Sequence, residues 1–278
     1  MTDRNETDPM IAAPPPLSLP LPLFAEVSVA AGPTIEDDRL QLCLQTAAKD
    51  PPSALAEANR WLAESRGAGQ SKPLQCLGQV YTVLLRWEAA ETAFTQAATV
   101  AAPGDLARRA ALHGQAGNAA IAGGHADRAL GHFDMALAVT DLPPADRGQI
   151  ELDRGRALVA LNRLADAAAS LTAAQRDAPD EPLVWLLSAT LARRQGDLGS
   201  AQRTIEVAAT LAPTDPDVGL EAGVIAVLGG RDEAARKSWQ SVIATSPQSK
   251  AAATAKSYIE QLGPAPAPAK PPAPAVQQ

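Results

Sequence analysis

Between Pro182 and Pro213 the apolar positions fall into two stripes. Leu183, Trp185, Leu186, Ser188, Ala189 and Ala192 recur at helical spacing and make the first. The polar run Arg193-Arg194-Gln195-Gly196-Asp197 interrupts it, and Gly196 suits a helix end because glycine tolerates positive φ. Ala201, Ile205, Ala208, Ala209 and Leu211 make the second stripe, which Pro213 ends. Two helices joined by a tight glycine turn predict an αα-hairpin. No β-branched or aromatic run within the patterned region reads as a strand, so the class is all-α.

The hairpin recurs. Pro179, Pro213 and Pro247 stand 34 residues apart, Ala167, Ala201 and Ala235 precede them by 12, and Asn162, Gly196 and Gly230 by 17. A fixed period of this length predicts a unit too small to bury its own apolar face, stacked on copies of itself. The pattern Trp185, Ala189, Gly196, Ala201, Ile205, Ala208, Pro213 resembles the tetratricopeptide repeat (TPR). Leu74, Leu77, Gly78, Tyr81, Ala90, Phe94 and Ala97 fill the same slots, as do Gly117, Ala120, Gly124, Ala129, Phe133 and Ala136. Further copies run through Gly155, Leu158, Asn162, Ala167, Leu171, Ala174 and Pro179, and through Gly223, Ala226, Gly230, Ala235, Trp239, Val242 and Pro247. A small residue on each helix lets its partner approach, and a large one fills the gap beside it. The resemblance implies an α-solenoid, a right-handed superhelix of stacked hairpins.

Two joints are longer than the ideal: one through Pro103-Gly104 into Asp105, an N-cap residue, and one through Asp141 into Pro144, a first-turn residue. Upstream, Leu40, Cys43, Leu44 and Ala47, then Ala54, Ala58, Trp61 and Leu62, read as a divergent capping hairpin. Downstream, Ala253, Tyr258, Ile259 and Leu262 mark one closing helix. The expected organisation is a proline-rich N-terminal segment over 1–37, about six hairpins plus a capping helix (some thirteen helices) over 38–262, and a disordered Pro/Ala-rich tail over 263–278.

Composition narrows the function. Aromatics are 3% of the 278 residues and alanine is abundant, which favours thin, closely packed helices over one large core. The net charge of −7 and a pI near 5.0 leave no basic face for phosphate, so no nucleic-acid partner is expected. No run of 18 apolar residues predicts a membrane-crossing helix. Met1 to Glu6 lack the basic start of a secretory signal, and prolines at 14–16, 20 and 22 break the apolar stretch behind them. The expected compartment is the cytoplasm, with a periplasmic or envelope location if the start of the chain is misassigned.

Candidate chemistry is sparse. His113, His125 and His132 read as surface or turn residues, with metal ligation as the alternative. Cys43 and Cys76 occupy equivalent places on neighbouring first helices, whose axes should lie about 8–10 Å apart. A disulfide there needs a close crossing, and two small buried apolar residues are the expectation for a cytoplasmic chain. No nucleophile elbow, P-loop or dinucleotide fingerprint occurs. A non-catalytic protein without cofactors is therefore expected.

In the family it resembles, the first helix of each hairpin lines a concave groove that binds peptides or helices of partner proteins. The inward slots map to Gln75 and Gln79, Gly114 and Asn118, Leu152 and Arg156, then Leu186, Thr190 and Arg193, then Leu220, Val224 and Val227. Gln79, Asn118, Arg156, Thr190 and Arg193 are the candidate groove residues, with Asn118 and the arginines placed to hold a peptide backbone or carboxylate. The alternative is that they merely keep the inner wall soluble. The paired Lys and Asn residues with which some relatives clamp a C-terminal carboxylate are not present. The expected function is thus a scaffold binding a partner peptide or helix, the alternative an envelope or complex-assembly factor tethered by flexible tails. One segment stands apart: Leu17, Leu19, Leu21, Leu23 and Phe24 line a proline-broken extended stretch. It is expected to pack back near Trp61 and Leu62, with a free partner lure and an export segment as alternatives.

Overall fold

The computed structural model describes residues 34–263, and among these every regular element is helical. Six hairpins follow one another: α1 (Ile35–Lys49) with α2 (Pro51–Glu64), α3 (Ser71–Val83) with α4 (Trp87–Val100), α5 (Leu106–Ala122) with α6 (Ala126–Leu137), α7 (Pro144–Ala160) with α8 (Leu164–Asp177), α9 (Pro182–Arg194) with α10 (Leu198–Leu211), and α11 (Pro216–Leu228) with α12 (Asp232–Thr245). The closing helix is α13 (Lys250–Leu262), and a 3-10 turn at Gly67–Gln70 leads into α3. The helical array begins at Ile35, three residues before the expected start. Asp105, Asp197, Asp215 and Ser249 accept backbone N–H groups at the starts of α5, α10, α11 and α13, and proline opens α2, α7, α9 and α11.

Each hairpin from α3 onward is closed by one contact between a small residue and a large one 16 positions later. The pairs are Gly78 with Phe94, Gly117 with Phe133, Gly155 with Leu171, Ala189 with Ile205 and Gly223 with Trp239. All ten residues are buried. A Cβ placed on Gly78 or Gly117 would come within 2.5 or 2.6 Å of the facing phenyl ring, and one on Gly223 would overlap the Trp239 indole. The larger the second residue, the smaller the first must be.

The turn between the two helices is equally regular. Leu85, Gly124, Asn162, Gly196 and Gly230 all take positive φ, from +56° to +83°. The next amide then reaches back across the turn, as in Arg86 N–H to the Tyr81 carbonyl at 2.8 Å and Arg231 N–H to the Ala226 carbonyl at 2.9 Å. This double closure satisfies carbonyls the helix end would leave free. Leu85 is the outlier, a leucine in a conformation that suits glycine, with its side chain exposed.

Three expectations are corrected. Cys43 and Cys76 form a disulfide, their Cα atoms 6.1 Å apart, because α1 and α3 cross closely enough to bring equivalent positions within bonding range. His132 is not a surface residue: it is buried between hairpins. Leu152, assigned to the groove, is fully buried in the core with Leu158, Leu171 and Val184. Trp61 is also covered, since Arg39 lies over its ring at 4.7 Å and Glu36 accepts its indole N–H at 2.9 Å. The segment expected to dock there, and the tail after Gly263, lie outside the described residues.

Two outcomes test this packing. Leu85→Gly relieves the left-handed strain, of about 1–2 kcal/mol, at a chain-entropy cost of about 0.5–1 kcal/mol. Chemical denaturation should show a net gain of about 0–1.5 kcal/mol, and a clear loss would refute the strain. Gly117→Ala and Gly223→Ala should each cost about 1–3 kcal/mol through overpacking. Gly155→Ala, facing Leu171 at 3.0 Å, should cost least of the three; a reversed order in thermal midpoints would contradict the pairing.

Candidate functional site

The first helices lie side by side, and their polar residues bond across from one hairpin to the next. Between α3 and α5, Gln75 donates to Gln115 at 3.3 Å, while Arg108 donates to Gln75 at 2.7 Å and to Ser71 at 3.1 Å. Half-buried in this seam, Arg108 has a lowered pKa because desolvation outweighs the pull of Asp105 and Asp37. Between α5 and α7, Asn118 donates to Asp153 at 2.8 Å. Asp153 is buried, and it also accepts from Gln149 at 3.3 Å and from Arg156 at 3.0 Å. Between α9 and α11, Arg193 grips Glu221 with two bonds of 2.6 and 3.2 Å.

The five candidate residues therefore have distinct surroundings. Asn118 and Arg156 converge on one carboxylate, Asp153, which carried no signal in the slot pattern because it follows the core residue Leu152. Arg193 is committed to Glu221. Thr190 returns its hydroxyl hydrogen to the Leu186 carbonyl at 3.0 Å. Gln79 is half-buried on α3 and stands apart from the others. A buried carboxylate with three donors is satisfied, and removing one partner costs more than the pair contributes. Charge reversal at Arg156 or Arg193 thus attacks the array itself as well as any ligand.

Arg156 and Thr190 do meet, at the edge of a cavity of about 140 Å³ between α7 and α9 whose walls are Val159, Leu171, Leu187 and Leu191. At the C-terminal end, Val224, Val227 and Leu228 form an apolar trough of about 290 Å³ with Trp239, Tyr258 and Leu262. The Trp239 and Tyr258 rings pack there at 5.3 Å. Between α5 and α6, His113 and His132 stack at 5.8 Å, and His132 Nε2 lies 3.3 Å from Glu91 of α4, which also accepts from Arg128 at 2.9 Å. Burial, then His132, then Arg109 push the His113 pKa below its ordinary value. Among the described residues no cluster of His, Cys, Asp and Glu is arranged to hold a metal ion, and no helix is long and apolar enough to cross a membrane.

No protein-family model matches the chain, and no curated protein does. Solved structures do. PilW, a widely conserved type IV pilus biogenesis factor, superposes with a TM-score of 0.67 over 80% of this chain and 98% of its own, at 20% identity. A TPR protein of Thermus thermophilus gives a TM-score of 0.54 at 19% identity, over 69% of this chain and 98% of its own. YrrB, a TPR protein with an unusual peptide-binding site, gives 0.50 at 19% identity, over 76% and 99%. The helix order, the small-to-large pairs and these superpositions agree that the chain has the fold of a TPR-type α-solenoid.

Proposed function

We propose that this protein is a non-catalytic scaffold that binds a partner peptide or helix along the inner wall formed by its first helices. The observation that carries the reading is the wall itself. Side-chain bonds tie α3 to α5, α5 to α7 and α9 to α11, and the wall presents half-buried apolar residues, Leu186, Val224 and Val227, in its second half. A rigid surface with part-exposed apolar positions between fixed polar groups suits an extended or helical ligand, which loses less entropy on docking against a pre-organised site. The peptide-binding site of YrrB is a property of that protein and supports the reading by likeness of fold alone.

A second reading, an envelope or complex-assembly factor, is favoured by one observation, the Cys43–Cys76 disulfide. Such bonds persist in oxidising compartments and are rare in a reducing cytosol. PilW, a pilus biogenesis factor, shares the fold. The two readings are compatible, since a scaffold works in either place.

Two measurements test them. A photo-crosslinking residue at Gln79 or Thr190 should trap a partner in cells, whereas the same residue at the exposed Thr172 or Thr210 on second helices should not. Equal trapping from both sets would overturn the groove. If the envelope reading holds, the native protein fractionates outside the cytosol and Cys43 and Cys76 resist alkylation until a reductant is added. A cytosolic protein with both thiols alkylated would refute it.

A further inference from the structure

The joint between α7 and α9 departs from its neighbours in two independent ways. First, the α7–α8 hairpin pairs glycine with an aliphatic residue. Elsewhere glycine faces a ring, at Gly78–Phe94, Gly117–Phe133 and Gly223–Trp239, and the aliphatic Ile205 faces an alanine. Gly155 meets the branched Leu171 instead of a ring, in a contact close enough that a Cβ on Gly155 would stand 3.0 Å from it. Beside this contact lies the cavity of about 140 Å³, which both residues help to line. An apolar cavity of about 150 Å³ admits benzene, so this one has room for one large apolar side chain. Unfilled apolar space lowers stability.

Second, among the described residues no side-chain hydrogen bond or ion pair joins α7 to α9 like those at α3–α5, α5–α7 and α9–α11, and the cavity lies there instead. Its mouth is basic. Arg156 keeps 46% of its side chain exposed while touching Asp153, and the exposed Arg194 side chain makes no ion pair or hydrogen bond among the described residues. The charged residues lining the cavity are Arg156, which pairs with Asp153, and Arg194, on a chain whose net charge is −7.

We propose that this cavity is a socket for one large apolar side chain of a partner peptide, flanked by an aspartate or glutamate that Arg194 and the free edge of Arg156 receive. The inference rests on the groove reading and adds to it the chemistry of the ligand. Leu171 and Gly155 set the depth of the socket, Val159, Leu187 and Leu191 its walls, and the arginines the acidic flank. Guanidinium groups match carboxylates in geometry and charge, and a charge left in solvent loses little on meeting one.

The test is selection of displayed random heptapeptides on the full-length protein. Enriched peptides should carry one large apolar residue next to Asp or Glu. Leu171→Phe, which restores the glycine–ring pairing and fills the socket, should cut their affinity at least about tenfold, the scale of a blocked apolar pocket. Its thermal midpoint should be no lower than that of the parent. Arg194→Glu, at an exposed position, should weaken binding most at low salt, and it decides the matter should Leu171→Phe fail to fold. Peptides that ignore both substitutions overturn the socket; if they protect Gln79 or Thr190 from photo-crosslinking, the groove reading stands without it. No enrichment also overturns the socket, and the cellular crosslinks then judge the groove separately.

Discussion

The approach of a small residue on one helix to a large one on the next governs this molecule. It sets how close α3 and α4 lie, and the same holds for each later pair. Because the contact spans 16 positions, it ties chain neighbours together and makes every hairpin a local unit. The hairpins then stack through nearest-neighbour faces, so stability accumulates along the array instead of arising from one central core. The buried residues accordingly fall into successive clusters along the chain. A solenoid of alanine-rich helices with few aromatics follows: rings are needed at the closure points, and small residues allow the rest to pack closely.

Such a fold leaves its inner wall with two tasks. Polar side chains there bridge one first helix to the next, and in the proposed groove the same positions would meet the ligand. At Asn118–Asp153 and Arg193–Glu221 the first task takes the side chains. At α7–α9 it does not, and apolar space with exposed cationic rims remains. The row of first helices is thus uneven, cross-tied on both sides of the α7–α9 joint but not at it among the described residues.

Much of the fold was legible in the residues because both the period and the paired sizes are written in side-chain identity. The turn at Leu85 escaped notice, since a leucine gives no hint of positive φ and only its register with Gly124 and Gly196 reveals it. The disulfide depended on how closely α1 and α3 cross, a distance that sequence spacing leaves open across the range from bonded to apart. Leu152 was misplaced for a related reason. A helix face is assigned by counting, and a rotation of one residue about the axis of α7 exchanges Leu152 for Asp153 at the inner edge. The cavity between α7 and α9 was invisible because no residue that advertises chemistry marks it.

The staple between Cys43 and Cys76 gives the array a direction. A stacked one-dimensional protein frays from whichever end is held least. Here the first hairpin is covalently joined to the second across 33 positions of chain, which on loop-entropy grounds adds about 3–4 kcal/mol to that end. The opposite end is held by the packing of α13 on α11 and α12, with no covalent bond. On these grounds the C-terminal side is expected to loosen first under a tug on the two ends of the domain, with the stapled hairpins the last to part.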